Sequence, residues 1–311
     1  MSASFLMRHT RSWVRPTTII LLVALLFNPD DSSAQTLTKI KIGLPDFSIS
    51  FLSVKVAQLQ GLYQAEGLDA ELIRISNPVA MIALMNKEID YAASTGSVLA
   101  SAVRGLPLRV VMYSLRTPFH ALLVKPEIKS LQEIRGKVIG VATGTTEGIL
   151  RAMMVHAGLA DKAPPFSVQA EKMGLKRLVG AAEVPEIIDG KIAFPPPSGL
   201  GVNSDKLQSQ PQQIRQVARA ILKAHDFIRS RKNDTVKIIS DWLKVNSAIA
   251  GGSYDAYVSS MSPEGWVPEP FMEAVIEQQA QALKVTEKVP LGKVADFRIL
   301  KEALAESRRG R

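Results

Sequence analysis

Ile89-Asp90-Tyr91-Ala92-Ala93 runs directly into Ser94-Thr95-Gly96-Ser97 and then into the apolar stretch ending at Val103. The first five residues predict a strand and the stretch from Ser97 to Val103 a helix. The small polar residues between them form the strand-to-helix turn. The pattern repeats on both sides. Upstream, Ile40–Leu44 predicts a strand, Leu52–Leu59 a helix ended near Gly61, and Ala70–Ile75 a second strand. Val79, Ile82, Ala83 and Met85 follow at helical spacing, and downstream Leu108–Tyr113 predicts another strand. Strands separated by helices of about ten residues imply βαβ units and a mostly parallel sheet. The fold class is therefore α/β, and in such sheets ligands sit at the carboxyl ends of the strands.

A second turn has the same build. Lys137–Ala142 predicts a strand, and Thr143-Gly144-Thr145-Thr146 opens a helix that runs to about His156. At both turns, unpaired first-turn amides, hydroxyl donors and the positive end of a helix dipole converge on one point. Glycine allows close approach to the backbone. Each turn can seat an oxyanion, although plain helix capping calls for the same residue types. Phe47 and Ser48, in the loop after the first strand, occupy the equivalent position and can wall the same pocket. Among four histidines, His120, in Arg116-Thr117-Pro118-Phe119-His120, is the one placed near a junction between lobes. Phe119 and His120 therefore join Phe47, Ser48, Ser94–Ser97 and Thr143–Thr146 as candidate ligand-binding residues. His225 falls on the apolar stripe of its helix and reads as a core residue.

The remaining chain sets the limits. After Asp161 the alternation breaks, and Pro164-Pro165 and Phe194-Pro195-Pro196-Pro197-Ser198-Gly199 read as extended or irregular chain. The last third is helical. Ile214, Val217, Ala218, Ile221, Leu222 and Ile228 share one face, with further helices at Asp234–Leu243, Ala248–Ser259, Pro270–Ala282 and Phe297–Ala305. At the start, Arg8, Arg11 and Arg15 precede an apolar run from Ile19 to Phe27 and then Ser32-Ser33-Ala34. This is the build of a secretory signal peptide over residues 1–34, too short to span a bilayer. The composition contains no cysteine, which excludes thiolate catalysis, disulfides and cysteine-based metal sites. Lys and Arg number 38 against 29 Asp and Glu, a net charge of +9 that suits an anionic solute. With aromatics at 6% and none interleaved in a basic stretch, a nucleic-acid partner is not expected. No nucleophile-elbow, Walker A or dinucleotide motif occurs. No catalytic residue, cofactor or metal site is therefore assigned.

Several runs then resemble a known family: Ile42-Gly43, Gly61-Leu62-Tyr63 with Glu66-Gly67-Leu68-Asp69, Glu88–Ala92, and Ser130-Leu131 with Ile134–Val141. They are similar to the periplasmic substrate-binding proteins of ABC importers, of the nitrate/sulfonate/taurine type, whose fold is shared with thiamine-pyrimidine synthases. The resemblance implies a type II, two-lobed protein with C-terminal helices that closes by hinge motion on a small ligand and delivers it to an inner-membrane permease. It implies a periplasmic location, a monomer and no enzymatic activity. Lobe one would comprise 35–117 and 201–311, and lobe two 118–200. The stretch from Gly158 runs straight into Pro164-Pro165-Phe166, so about one strand-helix-strand near residue 162 is expected to be missing from lobe two. Two alternatives remain: a thiamine-pyrimidine-synthase-like enzyme, against which the absence of cysteine counts, and a degenerate paralogue that no longer binds.

Overall fold

The computed structural model describes residues 36–118, 122–137, 139, 150, 153–154, 157–159, 176–179 and 194–309. Strand β1 (Thr38–Leu44) buries Ile40, Ile42 and Leu44 and exposes Lys39 and Lys41, the period of two that a half-buried strand requires. Helix α1 (Leu52–Leu59) returns the chain to β2 (Leu68–Arg74), which pairs with β1 in parallel from Thr38 opposite Leu68 to Leu44 opposite Arg74. Helix α2 (Asn77–Met85) leads to β3 (Tyr91–Ala92), parallel to β1 on its other side. β3 is shorter than the five residues read from the sequence. The Glu88 and Ile89 amides turn back onto the Ala83 carbonyl at 2.8 and 3.4 Å, which ends α2 and leaves them out of the ladder. Helix α3 (Thr95–Val103) and strand β4 (Leu108–Tyr113) complete the series.

One strand departs from the parallel expectation. After β5 (Leu122–Val124) and β6 (Lys176–Val179), which form an antiparallel pair, the chain re-enters the main sheet as β7 (Gly199–Asn203). β7 lies between β3 and β4 and runs antiparallel to both, so the sheet order is β2-β1-β3-β7-β4 and the sheet is mixed. By sequence, Phe194–Gly199 reads as irregular chain and no strand is assigned to Gly199–Asn203, whose two glycines weaken the strand signal. They are required by contact. A Cβ on Gly199 would lie 2.0 Å from the Met112 carbonyl oxygen, and one on Gly201 would lie 2.4 Å from Val98 Cγ2. Glycine in a strand interior marks such a close approach. Gly199 and Leu200, assigned by sequence to lobe two, are thus in the main sheet.

The helical third begins with a short α4 (Lys206–Ser209), for which the sequence pattern predicts no helix, and then follows as expected: α5 (Pro211–Ser230), α6 (Lys232–Leu243), α7 (Ser247–Ser260), α8 (Glu269–Ala282) and α9 (Arg298–Arg309). α5 buries the apolar stripe from Ile214 to Ile228. Its charged side ties the fold together, with Arg219 and Lys223 reaching Glu66 at 2.7 and 2.8 Å and Arg219 reaching Glu306 of α9 at 3.0 Å. The Glu66 side chain is only 7% exposed, so removing its partners would strand a buried carboxylate. A second apolar cluster, including Val124, Ile128, Ile134 and Met153, is separate from the main core. The expected signal peptide, most of the strand at 137–142, the turn at 143–146 and the shortening near residue 162 lie outside the described residues.

Gly199→Ala should destabilise more than Gly201→Ala, because the first meets backbone and the second a valine side chain. The expected loss for Gly201→Ala is about 1–3 kcal/mol in urea unfolding. His225 of α5 is 1% exposed, with Nδ1 3.4 Å from the Pro263 carbonyl oxygen, and burial lowers its pKa to about 4. The folded state therefore favours the neutral ring. His225 should contribute its full stability above about pH 6.5, and lose at most about 3 kcal/mol as the pH falls from there to 4. Urea midpoints at pH 7, 5.5 and 4.5 should fall in that order, and His225→Gln should flatten the trend.

Candidate functional site

Parallel pairing of β1 with β3 puts the loops that follow them at the same sheet edge, because Gly43 is opposite Ala92 and the Ala93 amide donates to the Gly43 carbonyl at 2.9 Å. Phe47 and Ser48 thus stand one strand away from Ser94–Ser97. β7 is antiparallel, so it begins at the edge where β4 ends, and Ser198 arrives beside Ser114. The Ser114 amide donates to the Ser198 carbonyl at 2.9 Å, and the Gly199 amide to the Ala93 carbonyl at 3.0 Å. The loops carrying the sequence-predicted residues of the first half therefore leave the same sheet edge, and two further hydroxyls stand at that edge. Ser114 and Ser198 are 2% and 1% exposed, and neither Oγ has a hydrogen-bond partner among the described residues. Nothing in the sequence singled them out, since they are placed there by β7.

The turn itself is differentiated. Ser94 precedes α3 without using its side chain as a cap; its Oγ lies 3.3 Å from Ser97 Oγ, and both residues are half-buried. Thr95 is fully buried and its hydroxyl donates to the Pro196 carbonyl at 2.6 Å. That hydroxyl is engaged in holding the returning chain, and the Thr95 amide donates to the Ala93 carbonyl at 3.1 Å, which leaves the Ser94 and Ser97 hydroxyls and the Gly96 and Ser97 amides as the donors of this turn. Gly96 is buried. The neighbouring helix start differs. At α1, the Tyr257 hydroxyl accepts from the Ser53 amide at 3.3 Å and lies 2.5 Å from Ser53 Oγ, so protein groups fill that end. Burial pushes the Tyr257 phenol up to about 12, and the Ser53 hydrogen bonds oppose that shift.

Phe47 is 48% exposed, and its ring tilts at 56° against Trp242 of α6 with centroids 6.5 Å apart. Ser48 is half-buried in extended backbone, and its carbonyl accepts from the Phe51 amide at 3.0 Å. Phe119, His120 and Thr143–Thr146 lie outside the described residues. A cavity of about 1120 Å³ between α5, the 262–268 loop and α9 contains none of the predicted site residues. Arg219 and Lys223 there pair with Glu66, and Arg229 with Asp226 at 3.0 Å, while Arg116 Nε donates to the Met261 carbonyl. Among the described residues, no group of three His, Asp or Glu could hold a metal, and no helix is long and apolar enough to cross a membrane.

Comparison with known proteins bears on the fold. Residues 48–194 match the NMT1/THI5 like family model. A candidate thiamine biosynthesis protein of Haemophilus influenzae is 31% identical over 115 residues, which is 35% of this chain and 37% of that relative's length. A candidate binding protein of Brucella abortus is 24% identical over 259 residues, 75% of this chain and 80% of the relative. A Bordetella bronchiseptica structure superposes with a TM-score of 0.70 at 17% identity, covering 87% of this chain and 98% of that one. The alkanesulfonate-binding protein SsuA of Xanthomonas axonopodis, bound to MOPS, gives 0.65 at 13% identity over 84% and 99%. The periplasmic nitrate-binding protein NrtA of Synechocystis gives 0.60 at 14% identity over 87% and 89%. Residues 48–194 are thus similar to the NMT1/THI5 like family, and the chain has the periplasmic binding protein fold found in sulfonate- and nitrate-binding proteins.

Proposed function

We propose that the protein is an exported solute-binding component of an ABC importer that captures a small oxyanion, such as a sulfonate or nitrate, and delivers it to a membrane permease. The observation that carries this reading is the start of α3. Its Thr95 amide donates to the Ala93 carbonyl at 3.1 Å, but the Gly96 and Ser97 amides and the Ser94 and Ser97 hydroxyls stand at the carboxyl edge of the sheet with no side-chain cap among the described residues, whereas Tyr257 fills the equivalent place at α1. Backbone donors at a helix start favour negative charge. The net charge, +9 for the whole sequence and +8 without residues 1–34, attracts anions in the same sense. Thr143–Thr146, Phe119 and His120 would supply the opposing wall from a second lobe, and closure about the crossings near residues 118 and 194 would enclose the ligand. In this reading residues 1–34 are a cleaved export signal, and the mature protein works in the periplasm without catalysis.

A second reading keeps the same pocket but fills it with a pyrimidine-like nitrogen heterocycle. It is favoured by the match to a candidate thiamine biosynthesis protein. Thermal melts with sulfonates, nitrate, carboxylates and pyrimidines separate the two. A compound at about 100 times its Kd adds roughly 2.7 kcal/mol, which raises Tm by roughly 5 °C or more. We expect sulfonates or nitrate to produce that shift and Ser97→Leu to abolish it. A shift with pyrimidines alone replaces the oxyanion reading. A shift that survives Ser97→Leu removes the α3 turn from the site, and no shift with any class contradicts the binding reading.

A further inference from the structure

The strand order β2-β1-β3-β7-β4 decides which side chains stand on either side of the start of α3. Neighbouring strands lie about 5 Å apart, so the loop after β1 leaves the sheet one spacing from the Ser94–Ser97 turn. On the opposite side, the entry to β7 is one spacing away and the exit of β4 two. That opposite side carries hydroxyls, those of Ser198 and Ser114, in addition to Ser94 and Ser97 of the turn itself. The carboxyl edge is therefore polar from β3 to β4.

The loop after β1 adds two different groups, an aromatic ring and a carboxylate. Phe47 is about half exposed, and its ring is backed by Trp242 of α6 at a centroid distance of 6.5 Å and a tilt of 56°. This lies within the range of favourable tilted aromatic pairs. Trp242 is itself half-buried and packs against the main core. The Phe47 ring is thus an apolar step anchored from a distant helix. Asp46, directly before it, is exposed. A carboxylate there repels an oxyanion, whereas the start of α3 attracts one. Charge therefore places an anionic head at α3 and keeps it away from β1, where apolar surface is on offer.

We infer that the ligand is an oxyanion with an aromatic body, an arylsulfonate rather than a bare anion such as nitrate, lying along the edge with its head at the start of α3 and its ring against Phe47. The inference rests on the oxyanion reading above and narrows it. A sulfonate that carries one ring reaches across a single strand spacing, whereas nitrate fills the head position alone and leaves Phe47 to water. Phe47 is then the residue that sets specificity, because it acts on the body of the ligand and not on the head. Trp242 is a positioning residue that works through Phe47. Asp46 fixes the orientation, since a ligand turned end for end would bring its charge beside a carboxylate.

Titration calorimetry of the full-length protein with nitrate, methanesulfonate and p-toluenesulfonate tests it. We expect p-toluenesulfonate to bind at least ~10-fold more tightly than methanesulfonate or nitrate, as burial of one ring's apolar surface allows. Phe47→Ala should bring the ratio of the two sulfonate dissociation constants close to one, and Phe47→Tyr, which keeps the ring, should preserve the preference. Trp242→Leu should lower the ratio in the same direction. Ser97→Leu, in contrast, should abolish binding of both sulfonates, because it blocks the seat of the head. Equal or weaker affinity for p-toluenesulfonate, or a preference that Phe47→Ala leaves intact, overturns the arylsulfonate inference while the anion seat stands. Binding of none of the three anions, or binding that survives Ser97→Leu, overturns the oxyanion reading and this inference with it.

Discussion

The contact on which the rest of the molecule depends is the passage of β7 between β3 and β4. A strand that enters antiparallel at that place must come within touching distance of the Met112 backbone on one side and Val98 of α3 on the other, and Gly199 and Gly201 make room for both. Overpacking by a single methyl is costly in a dense interior. The consequence extends beyond the core. Because β7 starts where β4 ends, both crossings of the chain emerge side by side at the edge where α3 begins. Ser114, Ser198, Ser94 and Ser97 meet there for that reason, although they are distant in sequence.

That edge presents two helix starts with opposite fates. The amide and hydroxyl of Ser53 at α1 are met by the Tyr257 hydroxyl, brought in from α7 across more than two hundred residues. At α3 the side chains that could have capped the turn are used otherwise: Thr95 holds Pro196, and Ser94 pairs with Ser97. A helix start whose amides are supplied with a protein acceptor is structural, and one left open at the carboxyl edge of an α/β sheet is a place for an anion. The proposed function stands on this asymmetry more than on the net charge, which only raises the local concentration of any anion.

Much of the fold was legible because it rests on local periodicity. β1 shows its alternation in Ile40, Ile42 and Leu44, and α5 its stripe from Ile214 to Ile228, so each was placed within a few residues. His225 was correctly read as a core side chain from its position on that stripe. The alternation also located the turn at Ser94–Ser97. β7 was not legible, because its glycines carry no β signal and their reason lies in Met112 and Val98, about ninety to a hundred residues earlier. Ser114 and Ser198 were missed with it. The role of Thr95 was hidden for the same cause: a hydroxyl at a helix start looks alike in sequence whether it faces a ligand or grips a distant carbonyl.

The central claim is that the open start of α3 receives an oxyanion. The most direct measurement is an NMR titration of the ¹⁵N-labelled protein with MOPS and with nitrate, following the backbone amides of Gly96 and Ser97. The account predicts saturable shifts at these two amides at a ligand concentration that leaves Ser53 at α1 unmoved. Saturable shifts confined to other regions, or shifts at Gly96 and Ser97 that grow linearly with salt as Ser53 does, would contradict it.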